Sequence, residues 1–228
     1  MRLAPVLPGQ FLRRENRFRA LVCVDGVEWA AHLPNPGRLT ELLVPGCRVW
    51  VAPRDGAHRR TPCDLILVQH HGLLVSVDSR LPNSLLAEAL QSGRVSLGEY
   101  DRLAAEVPLG ASRIDFRLNG PAGGHWVETK SVTLVIDGVA RFPDAPTVRG
   151  RRHAQELTAA VDAGDVASIV FVVQRPDAAS FAPNPEADPA LAAALHEAAA
   201  HGVSLRAFTC RVTLEAITIE REIPVVGP

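Results

Sequence analysis

Lysine is almost absent from this chain: of its 24 basic residues, all but Lys130 are arginine. Generic positive charge is therefore carried by arginine, and the one retained lysine either marks a position where the difference between the two matters or is left by chance. Lysine is a compact point charge on a flexible stem with three rotatable donors, whereas arginine is a wide planar fork that stays protonated. Cysteine is also scarce. Cys23, Cys47, Cys63 and Cys210 are scattered with no Cys-x-x-Cys pair, which argues against a zinc ribbon, a redox motif or a disulfide framework. They read as small buried hydrophobes, and His70-His71, without nearby ligands, reads as a solvated turn. Long apolar runs are missing too. Residues 166–173 form the most apolar stretch and are far too few to span a bilayer, and prolines break residues 1–8 where a signal peptide needs an apolar run. A soluble, cytoplasmic protein is expected.

The 228 residues are enough for one large domain or two small ones, and a hydrophobic content of 47% is ample for a core. The net charge of −1 conceals an uneven distribution. Residues 1–60 carry ten arginines against five acids, and the rest of the chain carries the acidic excess. Arg13, Arg14, Arg17 and Arg19 crowd together with Phe11 and Phe18 among them. A basic surface with interleaved aromatics can hold phosphates and stack bases; the same pattern suits an edge strand defended by charge.

The first eighty or so residues read as five short strands joined by Gly and Pro turns. Residues 18–24 and 27–32 flank Asp25-Gly26, a strong hairpin signal. Residues 48–52 follow Pro45-Gly46, and residues 63–69 and 73–77 flank Gly72. Such a run predicts a small antiparallel barrel of OB-like type. The pattern then changes. Asn83 is placed to cap a helix that runs to about Ser92, with Gly93 as its stop. Strands follow at 112–118, 125–135 and 139–142, then a helix over 147–163. Residues 166–173 are rich in β-branched side chains, as in a strand buried on both faces. Asp188 caps a further helix with Pro189 at its first position, and strands near 203–209 and 216–222 finish the chain. The expectation is an α/β (α+β) protein with two domains, residues 1–81 and 82–228, divided near Leu81-Pro82.

One constellation could carry chemistry. Residues two apart in a strand share a face, so Glu128 and Lys130 project together while Val127 and Thr129 point the other way. Asp115 lies on the preceding strand, and a connection of about ten residues makes the two strands hairpin partners. Two carboxylates can hold Mg²⁺, which keeps several waters and takes substrate phosphate as a further ligand. The metal offsets charge on a phosphodiester and acidifies water, and a lysine can position the attacking water. A solvated face of alternating charge shows the same Asp…Glu-x-Lys pattern. Arg113 and Arg117 beside Asp115 would equally suit a structural ion pair.

Several segments in register resemble the sugar fermentation stimulation protein A (SfsA) family over nearly the full length. They are Pro34-Asn35-Pro36-Gly37-Arg38, Leu81-Pro82-Asn83, Ser112-Arg113-Ile114-Asp115-Phe116, Val127-Glu128-Thr129-Lys130-Ser131-Val132-Thr133-Leu134, Phe142-Pro143-Asp144-Ala145, Arg149-Gly150 with His153, and Phe171-Val172-Val173-Gln174-Arg175. The resemblance implies an N-terminal OB-like β-barrel followed by a PD-(D/E)xK nuclease-like α/β domain. It further implies DNA binding, largely without sequence preference and extending to RNA, with Mg²⁺ or Mn²⁺ as cofactor of a nuclease. The alternative is a non-catalytic DNA-binding regulator of sugar (maltose) metabolism genes with a vestigial site. Carried over, it marks Asp115, Glu128 and Lys130 as the catalytic core and Asp115, Glu128 and Glu88 as the metal-binding acids. Asn35, Arg38, Arg13, Arg14, Arg17, Arg149 and His153 become nucleic-acid contacts. Two departures stand out: Val148 replaces an expected glutamate in Pro146-Thr147-Val148-Arg149-Gly150, and Arg152 replaces an expected lysine. A homodimer is compatible with general experience of soluble proteins.

Overall fold

The computed structural model describes residues 1–56, 59–121 and 123–227. Six strands come first: β1 (Leu7–Asn16), β2 (Arg19–Val24), β3 (Val27–His32), β4 (Arg48–Pro53), β5 (Cys63–His70) and β6 (Leu73–Ser76). Two of their hairpins have two-residue loops in which both central residues take positive φ, Asp25-Gly26 (51° and 79°) and His71-Gly72 (48° and 80°). This backbone twist matches that of the flanking strands, and Asp-Gly supports it at low cost. The strand order is β3-β2-β1-β4-β5-β6, and a parallel pairing of Ala31 with Cys63 and His32 with Asp64 joins β3 to β5. The barrel is thereby closed, around Phe11, Val22, Leu33, Leu65 and Val68.

β1 was not among the expected strands, and it carries Arg13 and Arg14. It lies between β2 and β4 rather than at an edge, so the defended-edge reading of this arginine cluster does not hold. Register shifts between Phe11 and Arg13 and between Arg14 and Asn16 interrupt its pairing with β2. Such bulges break the period-two alternation that a sequence pattern depends on.

The second half begins with α1 (Leu81–Gln91), followed by β7 (Arg102–Leu109), β8 (Ser112–Gly120), β9 (Gly123–Val132), β10 (Val135–Ile136) and β11 (Val139–Phe142). Then come α2 (Val148–Asp162), β12 (Val166–Val173), β13 (Ser180–Pro183), α3 (Pro189–Ala200), β14 (Ser204–Val212) and β15 (Ile217–Ile223). The main sheet has the order β15-β14-β12-β9-β8-β7, with β12 parallel to both neighbours and buried along nearly its whole length. β7 was also missed: it is an exposed edge strand with Pro108, and Glu106 sits in it at φ 54°.

Helices cover both faces of the sheet. Ala154, Leu157, Leu191 and Leu195 of α2 and α3 pack on Trp126, Ile169 and Phe171. On the other face Leu85, Leu86 and Leu90 of α1 meet Val127, Val170 and Val172, and Trp50, Ile66 and Leu67 of the barrel join the same core. The cap expected of Asp188 is present, and Thr147 caps α2 as well. The Thr147 hydroxyl accepts from Gly150 N–H, and Asp188 accepts from Leu191 N–H through one oxygen and from Thr147 N–H through the other. The cap expected of Asn83 is not. α1 starts at Leu81 after Arg80, whose side chain makes no capping bond, which leaves Asn83 inside the first turn.

Gln174, fully buried, ties the halves together. Its carboxamide accepts from the Ser76 hydroxyl at 2.8 Å and donates to the Asp78 carbonyl at 3.0 Å and the Ser131 hydroxyl at 2.9 Å. Truncating it would strand several buried polar groups together. Gln174→Ala is expected to lower the unfolding free energy by about 3 kcal/mol, seen as a lower urea midpoint at an unchanged m-value.

Candidate metal and phosphate site

The antiparallel ladder between β8 and β9 runs from Gly120↔Gly123 to Phe116↔Val127 and ends there. Alternation in β8 breaks at the same place. Ile114 packs under α2 and α3, whereas Phe116, two residues on, packs with α1; a regular strand would put both on one face. The parted strands still have buried N–H groups, which require partners. Thr129 N–H donates to Asp115 Oδ2 at 2.7 Å, and Asp115 N–H points to Glu128 Oε2 at 3.4 Å. Carboxylates have taken the place of ladder carbonyls.

The rest of the shell completes the carboxylates unequally. The Thr129 hydroxyl donates to Asp115 Oδ2 at 2.7 Å, and Asn83 Nδ2 donates to Oδ1 at 2.7 Å. Lys130 Nζ donates to Glu128 Oε1 at 2.6 Å, and His153 Nδ1 bonds the same oxygen. Arg149 Nε donates to His153 Nε2 at 3.2 Å. Because arginine can only donate, Nε2 accepts and the imidazole proton is on Nδ1, directed at Glu128. Glu128 is 3% exposed, and burial alone would raise its pKa. Lys130 and His153 outweigh that and hold it below the usual carboxylate value.

A divalent cation can be tested against this donor set. Each carboxylate oxygen accepts about two hydrogen bonds. Asp115 Oδ2 and Glu128 Oε1 each have two donors, whereas Asp115 Oδ1 has one and Glu128 Oε2 has a single long one. One lone pair on each side chain therefore remains for a hard cation. Among the described residues no group of three or more His, Cys, Asp or Glu is arranged to hold a metal. Two carboxylates with water and phosphate are the usual provision for Mg²⁺, so the residues fit such an ion and not a closed protein cage.

These groups line a cleft of about 560 Å³ that also contains Arg80, Glu106, Ser131 and Arg149, with Asn35, Pro36 and Gly37 of the barrel as its far wall. The other expected site residues divide. Glu88 stands apart from this cleft and accepts from the Met1 amine at 2.7 Å, while Asn83 occupies the α1 position that does reach Asp115. His153 is buried against Glu128 and points to the carboxylate, not to solvent. Arg14 spends all five guanidinium N–H groups on the carbonyls of Asn16, Arg17, Asn35, Gly37 and Arg38, leaving none for a phosphate. The Asn35 side chain is likewise committed, to Val77 O and Gly37 N–H. Arg13 is exposed beside Glu28, Arg17 bonds Pro36 O through Nε alone, and the Arg38 side chain is exposed. Arg117 does not pair with Asp115; it bonds Asp165 and lies 4.0 Å over Trp126. Val148 is exposed at the start of α2, and Arg152 bonds Ser112.

Beside the cleft, Arg80 bonds Asp78 and also reaches Asp64, a carboxylate 1% exposed that further binds Arg54, Arg59 and His32. Burial raises the Asp64 pKa, but hydrogen bonds from Arg80 and Arg59 outweigh it and bring it down from 3.8 to about 2.

Comparison with known proteins agrees with this architecture. The profile of the sugar fermentation stimulation protein RE domain matches residues 80–216, and that of the SfsA N-terminal OB domain matches residues 12–77. A sugar fermentation stimulation protein homolog of Moorella thermoacetica is 46% identical, with 98% of this chain and 97% of that protein covered. One from Desulforamulus reducens is 42% identical over 98% of this chain and 93% of its own. Among solved structures, Pyrococcus furiosus SfsA in complex with Ca²⁺ superposes with a TM-score of 0.91 at 33% identity, covering 99% of this chain and 97% of that one. The fold is an OB barrel followed by the α/β domain of the SfsA family. No helix among the described residues is long and apolar enough to cross a membrane.

The depressed pKa of Asp64 has a direct consequence for stability. A carboxyl whose folded pKa lies below its unfolded value stabilises the fold fully above the unfolded value and loses that contribution as pH falls through the folded one. For Asp64 the window runs from 3.8 down to about 2. The contribution is about 1–2 kcal/mol after allowing for screening at the partly exposed arginines. Asp64→Asn should lower stability at neutral pH and flatten the acid limb of a stability-versus-pH curve in that window, measured by urea unfolding.

Proposed function

The chain belongs to the sugar fermentation stimulation protein family, and on that premise we propose that it binds nucleic acid and hydrolyses phosphodiester bonds with a divalent metal ion. The observation that carries this reading is the pair of carboxylates, Asp115 and Glu128, each with one lone pair left free, and Lys130 bound to one of them inside a shared cleft. Asp115 Oδ1 and Glu128 Oε2 would hold Mg²⁺ or Mn²⁺, and the Ca²⁺ of the Pyrococcus furiosus relative supports a site for a hard divalent ion. Bound there, the ion supplies positive charge for the scissile phosphate and acidifies water.

The protein groups have separable roles under this reading. Thr129 and Asn83 fix the Asp115 carboxylate, and His153 fixes Glu128 from beneath. Lys130 keeps two N–H donors beyond its bond to Glu128, enough to orient a water and to steady the charge that builds on phosphate oxygens. Water attacks phosphorus and gives up a proton, the bond to the leaving oxygen breaks, and the leaving alkoxide takes up a proton to depart as the alcohol. Arg149 in the cleft and exposed Arg13, Arg17 and Arg38 supply backbone contacts, which position a strand without reading its sequence.

The test is cleavage of labelled DNA and RNA, single-stranded and duplex, in Mg²⁺ or Mn²⁺, with binding measured in Ca²⁺. Lys130→Ala and Asp115→Asn should each reduce cleavage by about 10²-fold or more, while Lys130→Ala binds within a few fold of wild type. Binding without cleavage in either metal would sink the hydrolytic reading and leave a DNA-binding protein with a vestigial site.

A further inference from the structure

The barrel bears a second concavity, of about 500 Å³, on the surface formed by Phe18, Arg19, His32, Arg59 and Arg60. Phe18 is 46% exposed, with the Arg17 guanidinium 5.7 Å from its ring centroid. Phe11, its partner in the aromatic-basic sequence pattern, is buried in the core, so Phe18 alone presents a ring. A large exposed aromatic among cations has little use in the fold and is well suited to stacking on a base beside its phosphates.

The groove connects to the cleft through one buried charge. Arg59 lines the groove, Arg80 lines the cleft, and both bond Asp64, which also accepts from Arg54. Asp64 and Asp78 offset two of these three arginines, so a positive charge is left over and the guanidinium groups are held in place before any ligand arrives. His32 approaches Asp64 at 3.3 Å and completes the groove side of this junction.

We propose that this groove is a stacking platform for an unpaired base of a single-stranded nucleic acid, and that the Asp64-anchored arginines lead the strand from Phe18 to the Asp115–Glu128 cleft. The proposal deepens the phosphodiesterase reading and rests on it for the direction of the path. Bases of a duplex are already stacked on both faces and cannot stack on a side-chain ring as well, which is the reason for choosing a single strand.

Fluorescence anisotropy in EDTA, where cleavage does not intrude, would test it with oligothymidylates and oligouridylates of about 4–16 nucleotides and duplexes of equal length. Single strands should bind about tenfold more tightly than duplex. Phe18→Ala should weaken single-strand binding by about tenfold or more, with Phe18→Tyr restoring it. Arg60→Ala should lower the slope of log affinity against log salt by about 0.7. Phe18 is exposed, so these variants should fold normally, as circular dichroism would confirm. Equal affinity for duplex, or unchanged single-strand binding by Phe18→Ala, would overturn the proposal. Lys130-dependent cleavage with Phe18-independent binding would leave the hydrolytic reading standing and remove the platform. Phe18-dependent binding with no cleavage would do the reverse.

Discussion

Everything at the candidate site depends on the parting of β8 from β9. β9 stays paired with β12 through every position from His125 to Val132, so the strand carrying Glu128 and Lys130 is fixed in the sheet. β8 leaves that ladder after Phe116 and carries Asp115 with it. Two carboxylates would not otherwise be held this close. Their proximity is tolerated because backbone and side-chain donors replace the water they lose, and because Lys130 neutralises one of them. Asp115, Glu128 and Lys130 together still carry one excess negative charge in a partly desolvated cleft, which favours entry of a cation.

The barrel is part of this arrangement and not an appendage to it. It contributes Trp50, Ile66 and Leu67 to the core beneath α1, so the halves bury apolar surface against each other. The cleft's far wall is the Asn35–Arg38 turn, which Arg14 holds through its carbonyls while Asp144 accepts from Arg38 N–H at 2.8 Å. Glycine suits position 37: a Cβ there would press on the Asp144 and Asn35 side-chain oxygens that hold the turn. Asn35, Gly37 and Arg14 thus position the wall, and their own polar groups are consumed in doing so. Sequence motifs that suggest ligand contact can instead mark the residues that hold the contact surface in place.

Much of this was legible in the sequence, and the failures have identifiable causes. The hairpin at Asp25-Gly26, the α3 cap at Asp188 and the burial of nearly all of β12 follow local rules and are legible in the sequence. β1 and β7 were missed because bulges in one and edge exposure in the other remove the alternation by which strands are recognised. Asn83 was assigned to a cap, although Pro82 directly before it was a counter-signal: proline favours the first helical turn, which places Asn83 past the cap. Thr129 was assigned to the face opposite Glu128, correctly for a regular strand, yet the break at Asp115 brings that carboxylate over to meet it. His153 is expected from the sequence as a nucleic-acid contact near the start of α2. Its burial follows from the tertiary packing of α2 on the sheet, which no local pattern encodes.

The scarcity of lysine acquires a structural reason at Glu128. Its Oε1 is taken by Lys130 and His153, and its Oε2 has one lone pair in reserve. An ammonium, as a point donor, can bind Oε1 and leave Oε2 alone. A guanidinium at the same position would favour the bidentate geometry in which two N–H groups engage both carboxylate oxygens. It would then cover the lone pair a cation needs, and its planar fork would compete with His153 for Oε1. Elsewhere arginine serves, because its partners are backbone carbonyls, as for Arg14, or carboxylates, such as Asp64 and Asp78, that gain by being fully engaged. At residue 130 the useful property is that one lone pair of the carboxylate stays free, which lysine allows and arginine would not.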